Sequence, residues 1–453
     1  MKVLNDICSR IRLRRLQLFF PFLVLLIILI SSCNEKSKNY SILEFTGDGG
    51  VLNYSKSLLL ISHVSDSINP TALMAGTGDL IMFGDNEFLY HRESSQNKFA
   101  FKTINGVDYL NNKIYSMTIP GNDNMIPWFK EMKNRDISTL DFLYFKSKIQ
   151  ESYFPYLNDL AKTKPGTGLG YGEKFGDMAG LLKIFNPGFI IGPSLSTKDF
   201  NQLSGLTNLE LLLVSLKDSL YNDPLPAMPG LKQLFLGDID DKAVITDDFL
   251  VNNKQLERLI IMKSGRFDFS IIKPLNNLKE LIVSGFDSVE NMNLIKSHKQ
   301  LQVLSITGEK FRYDSPLKEL ADIHWMTFSP NTTQDEFKML VESHPDLEVV
   351  EIINNKVINN LHPLLQLKKI YGLSVTDTLT DIATLKSLKN LKYLSIPKNV
   401  FNDSLRKAAL QNSLPDTRIY ANQGFCLGSG WLLLIIPLIL VFRAFNRRSR
   451  AGV

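Results

Sequence analysis

The sequence predicts an α/β solenoid, in which short strands alternate with returning segments and successive units stack on one another. Between residues 209 and 396 one pattern occurs nine times: an apolar residue, two others, an apolar residue, one other, an apolar residue. Its first members follow one another at steps of 21 to 25 residues: Leu209, Leu231, Leu256, Leu278, Leu301, Ile323, Leu347, Ile370 and Leu391. Repeats of this length indicate units that cannot bury their apolar side alone and therefore share one continuous core.

Each pattern indicates a short β-strand followed by a returning segment. The second members are Leu212, Leu234, Leu259, Leu281, Leu304, Met326, Val350, Leu373 and Leu394. The third members are Val214, Leu236, Ile261, Val283, Ile306, Phe328, Ile352, Val375 and Ile396. Because these two positions are two residues apart, both lie on the buried face of a strand. The returning segments include helical-looking stretches such as Thr332–Val341.

These patterns resemble the leucine-rich-repeat superfamily, and the predicted solenoid covers residues 137–422. The resemblance implies a horseshoe whose strands line the concave side, a fold that usually binds rather than catalyses. Members of the superfamily usually carry Asn eight residues after the first Leu, and here Asn331, Asn355 and Asn399 match. The other repeats place different residues there, so we expect an irregular horseshoe: Lys217, Ile239, Ser264, Phe286, Glu309 and Thr378.

Weaker copies of the pattern extend the array at both ends. Upstream, Leu140, Leu143 and Phe145 fit it well. Two poorer fits follow in the chain: Gly166, Leu169 and Tyr171, then Pro187, Ile190 and Gly192. Downstream, residues 414–422 predict a closing strand that caps the array.

The N-terminus resembles a bacterial lipoprotein signal. A basic stretch with four Arg precedes a long apolar run that ends in Ile30-Ser31-Ser32-Cys33. This order is typical of secretory signals, so residues 1–32 are interpreted as a signal peptide and residues 33–40 as a spacer. The resemblance implies that Cys33 is the lipidated first residue. The alternative is an uncleaved signal anchor with an incidental Cys.

The C-terminus carries an apolar segment over residues 425–442, followed by a basic tail over 443–453. This segment predicts a transmembrane helix, slightly short for a full span, with the tail on the cytoplasmic side. A Cys-Leu-Gly-Ser-Gly sequence before an apolar stretch and an Arg cluster also resembles a sorting tag that is cut away. Either way, residues 34–424 are predicted to lie outside the cytoplasm of a bacterial cell. A processed tail would place the protein in the outer membrane or at the cell surface.

Charge and cysteine content exclude several classes of function. Each end carries a net charge of +4, so the body between them is net −3 although the whole chain is +5. That balance offers no basic stripe for nucleic acid. The three cysteines are Cys8, Cys33 and Cys426, so the body between the ends has neither disulfides nor a thiolate metal site.

Residues 41–119 are predicted to form a β-rich N-terminal domain, joined to the solenoid by a linker over residues 120–136. The candidate strands are separated by Gly- and Asn-containing turns: Ile42–Thr46, Leu58–Ser62, Leu80–Phe83, Phe88–His91, Phe99–Thr103 and Ile114–Thr118. Solenoid ends need a cover for their exposed core, so one interpretation is a cap domain. The alternative is a separate binding or catalytic module.

No motif in the sequence points to catalysis, a cofactor or a metal. The Gly-rich run over residues 165–172 fits neither phosphate-loop pattern, and its place in the repeat predicts a strand and turn. The six histidines are scattered, and His298 and His344 share one repeat slot, which favours a structural role. No G-x-S-x-G occurs.

The residues that flank each second member point away from the core and predict a binding surface. In the first four repeats the following residue is apolar: Leu213, Phe235, Ile260 and Ile282. The preceding residues include Arg258, Glu280 and Trp325. A contiguous apolar surface usually marks a contact site, and aromatic residues are common anchors. The alternatives are that the N-terminal body covers this ladder, or that irregular repeats turn it inward.

We therefore expect a cell-envelope leucine-rich-repeat lipoprotein that binds a protein partner through its concave strand face, without catalysis or cofactor. The predicted partner contacts are Leu213, Phe235, Arg258, Ile260, Ile282 and Trp325. The alternative is a membrane-anchored enzyme with an unrecognised active site in residues 41–119. A sheet docked edge-on against Leu140–Phe145 would argue against that alternative.

Overall fold

The computed structural model describes residues 79–81, 89–91, 101–104, 107–110, 113–119, 126–138, 140, 142–145, 149–171, 174–308, 311, 315–375, 379–391 and 393–422. The predicted signal peptide, Cys33, the spacer, the segment 425–442 and the basic tail lie outside these residues. Among the helices of the described part, none is long and apolar enough to cross a bilayer.

Most strands of the described chain form one sheet of 16 strands. In chain order the strands are β1 (Asp79–Ile81), β2 (Leu89–His91), β3 (Phe101–Ile104), β4 (Val107–Leu110), β5 (Lys113–Ile119), β6 (Phe142–Phe145), β7 (Gly168–Tyr171), β8 (Phe189–Leu195), β9 (Leu211–Leu216), β10 (Leu220–Tyr221), β11 (Gln233–Ile239), β12 (Val244–Ile245), β13 (Arg258–Asp268), β14 (Glu280–Glu290), β15 (Val303–Gly308), β16 (Trp325–Phe328), β17 (Val349–Ile352), β18 (Gly372–Val375), β19 (Tyr393–Pro397) and β20 (Arg418–Asn422). From β5 to β20 the sheet is parallel and follows chain order. Two small pairs lie outside it: β1 with β2 and β10 with β12.

The nine predicted strands are confirmed as β9, β11 and β13 to β19. The members of the repeated pattern are at most 3% exposed, and they belong to one apolar core that runs the length of the array. Second members lie opposite one another on adjacent strands, as Leu234 does with Leu212 and Leu259. Each fully buried Leu contributes about 2 kcal/mol relative to an exposed one. The repeated pattern is therefore the main source of the stability of the solenoid.

Helices and turns return the chain between strands. The α-helices are α1 (Ile126–Lys133), α2 (Phe154–Thr163), α3 (Ala179–Phe185), α4 (Phe200–Leu203), α5 (Gln334–Ser343), α6 (Ile382–Leu385), α7 (Lys398–Phe401) and α8 (Ser404–Ser413). The 3₁₀ helices are Glu151–Tyr153, Phe175–Met178, Thr197–Asp199, Phe269–Ile272, Met292–Ser297, Ser315–Glu319 and His362–Gln366. Helix α5 confirms the helical stretch predicted near Thr332–Val341, and it begins with a capping box between Thr333 and Glu336.

The repeat slot that usually holds Asn is filled in two ways. Asn355 donates to the carbonyls of Ser329 and Thr332, and its oxygen accepts from the amides of Val357 and Ile358, at 2.7 to 2.8 Å. This is the role that the superfamily resemblance implies for the slot.

Phe286 occupies the same slot three repeats earlier and is fully buried. Its ring lies 5.7 Å from that of Phe311 and 6.2 Å from that of Phe267. Here apolar packing replaces the hydrogen bonds of the turn, which is the irregularity that the sequence predicted.

The described strands at the start of the array lie within the predicted N-terminal domain, residues 41–119. Strands β3, β4 and β5 form an antiparallel meander, and β5 pairs in parallel with β6, Ser116 opposite Phe142. Within the predicted linker lies helix α1, whose Phe129 is 5% exposed and stacks on Tyr156 at 5.7 Å between ring centroids. Apolar residues on one side of this short helix bind it to the core. Strands β3 to β5 therefore extend the solenoid sheet, whereas β1 and β2 form a separate pair.

The other end closes as predicted. Strand β20 pairs in parallel with β19 at the edge of the sheet, with Leu394 opposite Ile419. The preceding helix α8 is capped by Asp403 and buries Leu410. The degenerate upstream repeats are likewise confirmed as strands β6, β7 and β8.

Candidate binding site on the strand ladder

The residues flanking the second members form two columns on the face of the sheet opposite the core. Column A runs across adjacent strands in register: Leu213, Phe235, Ile260, Ile282, Ser305, Thr327, Glu351, Ser374 and Ser395. Column B runs beside it: Leu211, Gln233, Arg258, Glu280, Val303, Trp325, Val349, Gly372 and Tyr393. Together they form what we call the ladder face. The register predicted from the sequence is confirmed, because alternate strand residues face opposite sides of a sheet.

The structure brings all six predicted contact residues onto the ladder face, but they have little exposed surface. Leu213 is half-buried. The remaining five are exposed by only 3 to 9%: Phe235, Arg258, Ile260, Ile282 and Trp325. Neighbouring strands lie about 4.8 Å apart, so each side chain in a column is flanked on both sides. None of these residues belongs to the central core. Their role as partner contacts stays a prediction.

A buried ion pair lies in the middle of column B. The Arg258 guanidinium contacts one carboxylate oxygen of Glu280 through both Nε and Nη2, and each side chain is 6% exposed. Burial raises the pKa of Glu280, and the charge of Arg258 opposes that shift. A buried pair of this kind requires each partner, because removing one leaves an uncompensated charge. The pair makes this part of the ladder face electrically neutral overall.

Several polar atoms of the ladder face are buried without a hydrogen-bond partner in the described chain. They are Nε2 and Oε1 of Gln233, Nη1 of Arg258, and the hydroxyl oxygens of Ser305 and Ser395. Gln233 is 2% exposed and lies opposite Arg258 on the adjacent strand. Buried polar groups are nearly always paired, and an unpaired one costs about 1–3 kcal/mol. These atoms are spread over strands β11, β13, β15 and β19, and only those of Gln233 and Arg258 lie on adjacent strands.

Trp325 is held in place by a carboxylate that the sequence did not single out. Its indole Nε1 donates to Glu351 Oε2 at 3.0 Å, and the hydroxyl of Thr327 donates to the same oxygen at 2.7 Å. All three residues are at most 5% exposed. Glu351 lies in column A of the adjacent strand β17. Its contact with Trp325 can be inferred only from the pairing register of the two strands.

Aromatic rings continue the ladder face toward the start of the array. The rings of Phe142 and Phe189 stack at 5.4 Å with an interplanar angle of 8°. Between their strands lies Gly168, where an added Cβ would fall 2.1 Å from Phe189 Cζ. Residues 168–171 of the Gly-rich run thus form strand β7, as predicted, and the missing side chain of Gly168 makes room for a ring.

The buried histidines bind backbone groups. His298 Nδ1 lies 3.1 Å from the carbonyl oxygen of Leu275, and His344 Nδ1 lies 2.8 Å from that of Leu340. Asn253, in the same repeat slot, donates to the carbonyls of Leu225 and Pro226. Across the described ranges, no group of three or more His, Cys, Asp or Glu side chains is placed to hold a metal ion.

A repeat of 21 to 25 residues, one parallel strand per repeat and a shared core define a leucine-rich-repeat solenoid. Solved structures of the same kind were found by comparison. Internalin C2 of Listeria monocytogenes is 20% identical, with 39% of this chain and 74% of that chain covered and a TM-score of 0.29. A second internalin of that species is 17% identical, with 68% and 73% covered and a TM-score of 0.32.

A leucine-rich-repeat protein of Leptospira interrogans is 14% identical, with 66% of this chain and 99% of that chain covered and a TM-score of 0.35. No protein-family model and no curated protein sequence matches this chain. The fold assignment rests on the repeat and the sheet of this chain itself.

Proposed function

We propose that this protein is a binding scaffold that takes a protein partner on its ladder face. The observation that carries the proposal is a contiguous set of side chains that is separate from the core and combines apolar residues with buried, unpaired polar atoms. Apolar side chains supply burial, and fixed polar groups supply orientation, which is the usual composition of the centre of an interface.

The apolar part of the site lies on strands β9 to β14. It consists of Leu211, Leu213, Phe235, Ile260 and Ile282 on both columns, of which Leu213 is half-buried and the others are buried. Rigid strands hold these side chains at fixed spacing, so binding orders few of the protein's own groups. Farther along the ladder, Trp325 is buried, and its indole Nε1 donates to Glu351.

We also propose that the scaffold is anchored in a bacterial cell envelope with its folded body outside the cytoplasm. The order of basic stretch, apolar run and small residues before Cys33 supports this, as does the apolar segment followed by four Arg at the C-terminus. Strands β3 to β5 would then extend the scaffold near its membrane-proximal start.

Site-specific photo-crosslinking in the host tests partner binding. A benzophenone amino acid replaces Phe235 in one variant and Leu405, which is 82% exposed on helix α8, in a matched control. We expect an adduct heavier than the chain itself from position 235 and none of that mass from position 405. Heavy adducts from position 405 alone, or no heavy adduct from position 235, would overturn the proposal.

A further inference from the structure

We propose that Ser219, Ser288 and Ser404 are acceptor sites for an O-linked glycan. The inference goes beyond partner binding and assigns a covalent modification to residues outside both columns of the ladder face. It follows from a tripeptide that recurs in the sequence, from the exposure of its hydroxyl group, and from the carboxylate that precedes that group.

The recurring tripeptide is Asp, then Ser or Thr, then an aliphatic residue. It occurs five times, whereas a random chain of this composition would contain about one copy. The copies begin at Asp66, Asp218, Asp287, Asp377 and Asp403. Only Asp218 and Asp287 share a position in the leucine-rich repeat, so the repeat period does not explain the set. A short motif repeated in this way is typical of a sequence that a modifying enzyme reads.

The hydroxyl-bearing residue is exposed in the three copies whose residues the structure describes. Ser219 lies in the turn between β9 and β10, Ser288 lies on β14, and Ser404 begins helix α8. None of the three belongs to the core. In two copies the aliphatic third residue is exposed as well, Leu220 by 48% and Leu405 by 82%. An enzyme can therefore reach both the acceptor and its neighbour on the folded surface.

The structural role of the Asp does not account for the whole tripeptide. Asp403 caps helix α8 by accepting from the amides of Leu405 and Arg406, both at 3.1 Å. Asp218 accepts from the amide and the hydroxyl of Thr197 at 2.7 and 3.0 Å. Such contacts need a side-chain oxygen at the first position only. They explain the Asp and leave the hydroxyl and the aliphatic residue that follow it unexplained.

A sugar fits these hydroxyl groups better than a phosphate. A phosphate would bring a charge of about −2 next to a carboxylate, which repels it, whereas a neutral sugar is not repelled. The proposed location outside the cytoplasm also removes ATP as a phosphoryl donor and favours a lipid-linked glycosyl diphosphate as the donor.

The transfer exchanges one bond at the sugar for another. The Ser oxygen bonds to the anomeric carbon of the sugar, and the bond from that carbon to the diphosphate of the donor breaks. The hydroxyl proton passes to a base of the transferase. The bulky, hydrated product increases the solubility of the protein surface and leaves the ladder face uncovered.

Mass spectrometry of the full-length protein purified from its host membranes tests the inference. Electron-transfer fragmentation keeps a sugar on its residue, so peptide sequencing locates each modified position. We expect glycan mass on Ser219, Ser288 and Ser404. Ser387 is the matched control, because it is exposed and precedes a Leu but follows Lys386 in place of an Asp. It should carry no glycan.

Asp403→Asn separates the tripeptide from the helix cap. Asn caps a helix about as well as Asp, so the variant should keep the urea midpoint of the wild type. We expect glycan occupancy at Ser404 to fall at least tenfold, with Ser219 and Ser288 unchanged. Any one of four results would overturn the inference: unmodified hydroxyl groups at all three Ser residues, phosphate in place of sugar, equal occupancy at Ser387, or full occupancy of Ser404 in Asp403→Asn.

Discussion

His298 and His344 show how a single repeat slot sets the chemistry of a residue. Each is 3% exposed, and each imidazole contacts a backbone carbonyl of its own array. Burial lowers the pKa of both groups, because the charged form loses more hydration than the neutral form. Asn253 fills the same slot with an uncharged amide, whereas the other six repeats place an apolar residue there.

Acidification should destabilise the protein through these two residues. In the unfolded chain a histidine binds a proton near pH 6.5, whereas in the folded protein the lowered pKa keeps both neutral. Their contribution to stability is therefore present above pH 6.5 and is lost as the pH falls below it. We expect His298→Asn with His344→Asn to reduce the fall in the urea midpoint between pH 7.5 and 5.5.

His324 is a control, because its pKa is shifted in the opposite direction. A hydrogen bond to Glu348 raises its pKa, and Asp322 adds to that shift. Its contribution is present below pH 6.5 and is lost as the pH rises through the raised value. His324→Gln should therefore lower stability more at pH 5.5 than at pH 8.5. If the urea midpoint of the His298→Asn, His344→Asn double variant falls with pH as much as that of the wild type, the proposed effect of the two histidines is contradicted.

At the scale of the element, the strands are specified more firmly than the returning segments. The apolar pattern recurs in each of the nine strands, whereas the returns range from helix α5 to short 3₁₀ turns. A strand is fixed by core positions two residues apart, and a one-residue slip would expose them. The returns only need to cover the core, so many conformations satisfy them.

Strand β7 depends on a glycine because of its neighbours. Gly168→Ala would place a methyl group against the ring of Phe189, and we expect a loss of about 1–3 kcal/mol of unfolding free energy. Phe189→Leu removes that ring and should make the alanine tolerable, so the double variant should be more stable than the sum of the single changes predicts. Urea denaturation of the four proteins measures the coupling, and strict additivity would refute the steric explanation.

At the scale of the whole molecule, the two ends of the chain predict anchoring in different membranes. A lipid on Cys33 in an outer membrane and a retained helix over residues 425–442 would tether one molecule to two bilayers. Three arrangements resolve this: removal of the C-terminal segment, a lipid that stays in the inner membrane, or an unmodified Cys33.

Mass spectrometry of the mature protein from fractionated host membranes separates these arrangements. We expect loss of residues 1–32 and the mass of two or three acyl chains on Cys33. Additional loss near Cys426 would identify the tail as a processed tag. An intact chain from Met1 to Val453 would contradict the lipoprotein prediction and indicate an anchor at each end.

The repeat, the strand register and both columns were readable from the sequence, because burial imposes apolar residues at fixed intervals. The members of the pattern lie in the core and the flanking residues lie on the ladder face, as predicted. Helix α1 was not predicted, because its short apolar side falls in a Pro- and Asn-containing stretch that is typical of a linker. The packing of Phe286 between Phe267 and Phe311 was also missed, since it joins side chains from three successive repeats.

Periodic burial is local in sequence, so the chain by itself determined the solenoid, the residues of its core and the residues of its ladder face. Only the tertiary structure decided what those ladder residues do to one another. It paired Arg258 with Glu280, fixed Trp325 on Glu351, and left Gln233 buried with both amide atoms unpaired. Such contacts join residues more than 20 positions apart, and they depend on rotamers and distances that no sequence spacing encodes.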